Sequence, residues 1–129
     1  MTWCARVVEL FNSDPDFPLA SEGWSGDIGV VVDRPGQSLV VHVGAPVGGK
    51  LPAPTQVASA DELDAKDPAY WLRASEATWR DMMGGRKDPV EAVLRRELEV
   101  RGELQPVMER LRYKGLAYRV LARLTAEGL

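Results

Sequence analysis

The residues that could do covalent or acid–base chemistry are few. Cys4 and His42 are each the only residue of their type among 129. A thiol nucleophile needs a base within hydrogen-bond reach and a third group to orient that base. Cys4 lies in a helical apolar pattern and His42 in a strand, and no orienting residue accompanies them. Cys4 therefore reads as a helix residue without chemistry. His42 alternates with Leu39, Val41 and Val43, which puts it with Val40 and Gly44 on the other face of its strand as a solvated or helix-covered side chain. One Cys and one His cannot supply the usual zinc ligand set. The acidic run Asp61-Glu62-Leu63-Asp64 lacks the glycine and spacing of a calcium loop and reads as a solvated turn. Gly49-Lys50 leads into Leu51-Pro52, not into the Ser or Thr that opens a phosphate-binding helix. No catalytic residue, metal or cofactor is expected, and the chain is expected not to be an enzyme.

What remains is apolar. Trp79, Met82 and Met83 fall within one short helical segment. Methionine has three rotatable bonds and a polarizable sulfur, so such a group suits ligands of varied shape. The same residues at helical spacing serve equally as ordinary core, and the pattern by itself leaves both readings open.

The elements that would position this cluster follow from periodicity. Trp3, Val7, Val8, Leu10 and Phe11 cover one side of a helix over about Thr2 to Asn12, stopped by Asn12-Ser13-Asp14-Pro15. Ile28, Val30 and Val32 alternate with Asp27, Gly29 and Asp33, Pro35-Gly36 turns the chain, and Leu39, Val41 and Val43 repeat the alternation, which predicts an antiparallel hairpin. Gly44 to Gln56, with Pro46, Pro52 and Pro54, reads as a surface loop, a plain connector or a cover over a pocket mouth. Val57 to Ala60 predicts a short third strand, Asp61 to Pro68 an acidic turn, and Ala69 to Ala74 a fourth strand. Ser75 caps a helix ending at Gly84-Gly85. Asp88-Pro89 opens another, with Val90, Val93 and Leu94 as its buried side. Glu97 to Arg101 alternates charged and apolar residues as a strand wet on one face, and Gly102 turns it into a final helix. There the stripe Leu104, Val107, Met108 and Leu111 gives way after Tyr113 to Leu116, Ala117, Val120 and Leu124, about half a turn away. Either the helix bends near Gly115 or its last turns meet a partner subunit.

Length and charge bound the rest. A chain of 129 residues fits one domain spanning 1–129. Nineteen acidic against sixteen basic residues give a net charge of −3, without the excess that phosphate backbones require, so nucleic acid is not an expected partner. The lone cysteine argues for a reducing compartment, and a cytoplasmic protein is expected. Ile28 to Val32 is too short to span a bilayer, and no integral membrane segment is expected. Neither the Arg6- and Glu9-bearing N-terminus nor the Glu127-Gly128-Leu129 end reads as a targeting signal.

Three stretches carry a family resemblance: Trp71 to Trp79 (WLRASEATW), Met82 to Ala92 (MMGGRKDPVEA) and Leu98 to Glu103 (LEVRGE). In their order and spacing, tight over about Ala69 to Leu111, the chain resembles the sterol carrier protein type 2 domain, as a stand-alone, prokaryotic-style member without a fused thiolase or dehydrogenase part. The resemblance implies an α/β (α+β) fold with a five-stranded, mostly antiparallel sheet and helices packed on one face. Between them it implies an apolar cavity that binds or transfers a fatty acid, acyl-CoA, phospholipid or sterol without changing it. By position, Trp79, Met82, Met83, Val90, Val93, Leu94, Met108 and Leu111 would line that cavity. The long Gly44 to Gln56 loop and the tail from Tyr113 to Glu127 depart from the family pattern. The alternative is a homodimeric interaction module with a filled cavity, paired through Leu116, Val120 and Leu124.

Overall fold

The structure is a computed structural model that describes residues 2–103 and 114–128. Helix α1 (Thr2–Ser13) is followed by a short α2 (Phe17–Ala20) and by the hairpin β1 (Ile28–Asp33) and β2 (Leu39–Val43). Then come β3 (Thr55–Gln56), α3 (Ala60–Lys66), β4 (Tyr70–Ser75), α4 (Glu76–Met83), α5 (Pro89–Leu94), β5 (Glu99–Arg101) and α6 (Lys114–Ala126). The strands form one five-stranded sheet in the order β3-β2-β1-β4-β5. β1 and β4 are parallel neighbours, and the other three pairs are antiparallel.

Register assigns the sheet two faces. Val30 stands opposite Val41 and Leu72, and Val32 opposite Leu39 and Ala74, so these residues share a face with Ile28, Val43 and Val100. Met82 of α4 and Ala92 of α5 pack onto that face with Leu72, Ala74 and Leu98. Its helices start where the sequence says. The Ser75 hydroxyl accepts the amide of Thr78, and the Asp88 carboxylate accepts that of Val90, each filling one of the orphan positions at a helix start.

The opposite face carries Val31, Val40 and Trp71 under Leu63 of α3, which is fully buried. Gly29 makes this approach possible, because a Cβ there would lie 2.8 Å from the Leu63 methyl carbons. The acidic segment Asp61 to Pro68, expected as a turn, is therefore mostly helix. Ser59 caps it by accepting the amide of Glu62, Asp61 and Glu62 occupy the first turn, and Lys66 the last, as the helix dipole favours. The third strand lies at Thr55–Gln56, just before the expected Val57 to Ala60, and Val57 is buried beside Leu63.

The Gly44 to Gln56 segment is tied down. Asn12 of α1 donates to the carbonyl of Leu51 at 2.9 Å and accepts its amide at 2.8 Å, and Leu51 packs against both the β2 cluster and Phe17, Ala20 and Leu116. α6 packs on α1 and α4. Arg6 grips Glu127 with two 2.8 Å bonds, and Arg119 grips Asp14 with two of 2.9 Å. Leu116, Val120 and Leu124 are buried within the chain, so they are not free for the dimer contact expected of them. Leu104 to Tyr113 lies outside the described residues.

Candidate functional site

The helix-covered face of the sheet is the candidate site, and β1 at its centre shows why. A central strand under a helix layer should be sealed on that side. Val32 at its far end is sealed, but Ile28 and Val30 on the same face are only partly buried, whereas Gly29 and Val31, which face the other way, are buried, Val31 completely. Partial exposure recurs at Tyr70 and Val100 on the flanking strands and at Leu51 of the loop. Apart from the Tyr70 hydroxyl, the side chains of this surface are apolar.

Trp79 spans it. Its ring packs against both the β4/α5 cluster and the β1/β2 cluster, and its Nε1–H donates to the carbonyl of Val31 at 3.2 Å. That bond satisfies the one polar group of an otherwise apolar side chain. Met82 is buried one turn on, Met83 is partly buried, and Val93 packs from α5 against the same cluster. The structure thus brings Trp79, Met82 and Val93 together.

Val90 and Leu94 do not join them. They are 49% and 78% exposed, and α5 buries Pro89 and Ala92 instead. α5 packs through the small Ala92, fully buried against the cluster of Leu98 and Met82, and carries Val90 and Leu94 on its outward side. Met108 and Leu111 lie outside the described residues. Ile28, Val30, Tyr70, Val100 and Leu51 belong to the surface although the sequence expectations took its lining from helices alone. For the β1 pair the signal was the strand alternation, read there as core.

Charge stays off this face. His42 Nε2 lies 2.7 Å from Asp27 Oδ2, and the other Asp27 oxygen accepts the Ala69 amide at 2.8 Å. Burial pulls the Asp27 carboxyl upward, but the bonds from His42 and Ala69 outweigh it and hold the group below the ordinary carboxylate range. The pair staples the entry of β1 to β2 and β4. Arg73 likewise holds Asp33 at 2.9 and 3.1 Å, and its hydrogen bonds keep that carboxyl low. Among the described residues no group of three His, Cys, Asp or Glu side chains is placed to hold a metal, and no helix is long and apolar enough to cross a membrane.

No family model and no curated protein matches the sequence. Solved structures do match the fold. A Thermus thermophilus protein described as a candidate sterol carrier protein superposes with a TM-score of 0.72 at 18% identity, over 95% of this chain and 86% of that one. A crystal structure of sterol carrier protein 2 gives 0.69 at 19% identity, over 93% of each chain. The sterol carrier protein domain 2 of Helicoverpa armigera gives 0.65 at 16%, over 90% of this chain and 85% of its own. Near-complete coverage recurs in all three superpositions, and the chain has the sterol carrier protein 2 fold.

Proposed function

We propose that this protein binds a lipid-like apolar molecule between its helix layer and the centre of its sheet, and carries it without covalent change. The observation that supports the reading is the contrast along β1, where Ile28 and Val30 are under-buried beneath the helices and Gly29 and Val31 are sealed behind them. Apolar surface left open at the centre of a domain is costly unless something covers it. An acyl chain laid there would gain about 0.8 kcal/mol per buried methylene, ample for micromolar affinity. The shared fold with sterol carrier proteins supports the same reading.

Trp79, Met82, Met83 and Val93 would form the helix side of the site, and Ile28, Val30 and Val100 its floor. The likeness to sterol carrier proteins suggests a ligand among fatty acids, acyl-CoA esters, phospholipids and sterols, and apolar walls would discriminate neighbouring chain lengths weakly. With its single cysteine, the carrier suits the cytoplasm. The test is titration of delipidated protein with a fluorescent fatty acid. We expect a saturable signal at micromolar protein, competed by unlabelled fatty acid; a linear, non-saturating signal would overturn the proposal.

A further inference from the structure

The outward side of α5 is an apolar surface that the candidate cavity leaves unused. Leu94, at 78%, is the most exposed large apolar side chain among the described residues, and Val90 lies one turn before it. Residues four apart share one side of a helix, so the two form a single ridge. A lone exposed leucine means little, because much of any protein surface is apolar. This pair differs in what surrounds it.

Basic residues flank the ridge at both ends. Arg86 and Lys87 precede α5, and Arg95 and Arg96 follow it. Residues 84–96 hold four basic residues against two acidic ones, a local positive surplus in a chain whose net charge is −3. Both carboxylates are engaged: Asp88 accepts the amide of Val90, and Glu91 pairs with Arg95 at 2.6 Å. Arg86 pairs with Asp81 at 3.1 Å, and Lys87 with Glu97. Arg96 is exposed and, among the described residues, has no carboxylate partner. The Arg86 and Arg95 pairs are largely exposed and contribute little, so either guanidinium can turn to a phosphate at small cost. Apolar side chains between arginines match the boundary of a bilayer, where acyl chains lie just beneath anionic phosphates.

Position supplies a second argument. The inner side of the same helix is a wall of the candidate cavity, since Ala92 and Val93 pack against the cluster of Leu72, Met82 and Leu98. A bilayer met by Val90 and Leu94 therefore lies about one helix diameter, roughly 10 Å, from the place proposed for the guest. We propose that the outer side of α5 is a docking surface for bilayers containing anionic phospholipid. Leu94 and Val90 enter the headgroup boundary, and Arg86, Arg95 and Arg96 take lipid phosphates. So small a ridge makes a weak, reversible contact, as suits a carrier that must leave again. Its use in delivering a guest rests on the lipid-binding reading above, whereas the docking itself does not.

The experiment is co-sedimentation of the protein with vesicles of phosphatidylcholine alone, or of phosphatidylcholine and phosphatidylglycerol in equal parts. Binding should appear with the mixed vesicles, be about tenfold weaker with phosphatidylcholine alone, and fade as salt is raised. Leu94→Ser should weaken it by about tenfold and Arg96→Gln by about fivefold. Val47→Ser removes an equally exposed apolar side chain from the loop between β2 and β3, and should leave binding unchanged. Leu94→Ser should also keep the circular dichroism and the solution fatty-acid affinity of the parent. A protein that binds mixed vesicles but no fatty acid would sink the cavity reading and leave the docking standing. No binding to mixed vesicles, an undiminished Leu94→Ser, or an equal loss in Val47→Ser overturns the proposal. Loss of fatty-acid affinity in Leu94→Ser would place that residue in the cavity wall and overturn it too.

Discussion

Enlarging one side chain on each face of β1 tests directly whether the proposed helix-side site has room for a guest. Val30 and Val31 are consecutive residues of the central strand, and valine and phenylalanine have similar strand preference, so Val30→Phe and Val31→Phe differ chiefly in what the added ring meets. Val31 is completely buried among Val40, Val57, Leu63 and Trp71, and a ring there must displace packed neighbours, at a cost of about 1–3 kcal/mol. Val30 is partly open on the helix side. There the ring buries roughly 40 Å² more apolar surface, which at about 25 cal/mol per Å² stabilises by about 1 kcal/mol. The two variants should therefore differ by about 2–4 kcal/mol. In urea unfolding followed by circular dichroism, with a slope of about 1.5 kcal/mol per molar, that is a separation of about 1.3–2.7 M in midpoint. Val30→Phe should also weaken fatty-acid binding by about tenfold or more, since the ring occupies the volume the guest would use. Equal destabilisation at the two positions would mean that the helix side is as tightly filled as the other, and the reasoning from β1 would fail.

Leu63→Ala removes the fully buried side chain over the second face and should cost about 2–4 kcal/mol, read as a lowered urea midpoint; a loss under about 0.5 kcal/mol would mean that α3 contributes no core. Gly102→Ala should destabilise by at least about 1 kcal/mol, because φ is +101° and a Cβ would sit 2.3 Å from the carbonyl oxygen of Ala69; an unchanged melting temperature would contradict this geometry. Leu116→Glu with Val120→Glu should unfold the chain, since both side chains are buried inside it; a folded protein of halved mass in light scattering would restore the dimer reading. The Asp14 carboxyl is held below its ordinary value, first by its bonds from Arg119. A lowered folded pKa gives stability that is complete above the unfolded value near about 3.9 and is lost as pH falls through the folded one. Arg119→Met should thus lower the melting temperature at about pH 7 and make little difference at about pH 2; an equal loss at both would assign the effect to packing alone.

The elements most legible in the sequence were those whose own residues satisfy their own demands. The β1–β2 hairpin declared itself by alternation on both sides of Pro35-Gly36, and α4 and α5 by the caps Ser75 and Asp88. α3 was hidden because a seven-residue helix that buries only Leu63 has no apolar stripe to find, although Ser59 with Glu62 three residues on was a start signal. The orientation of α5 was misjudged for a different reason. Burial was expected of its largest apolar residues, but the helix packs through Pro89 and Ala92 and leaves Val90 and Leu94 exposed.

The parallel pairing of β1 with β4 bears on how the chain reaches this fold. Ile28 meets Tyr70 and Asp33 meets Ser75, so the innermost ladder closes a loop of some forty residues, while β1 and β2 zip across a short turn. Long-range pairing exacts its loop-closure entropy before any reward, so the hairpin should form early and β4 should dock late, in the rate-limiting step. During synthesis the hairpin must wait with its β4 edge bare until Ser75 has emerged. That interval, and not the finished domain, is when the chain is most exposed to pairing with the wrong strand.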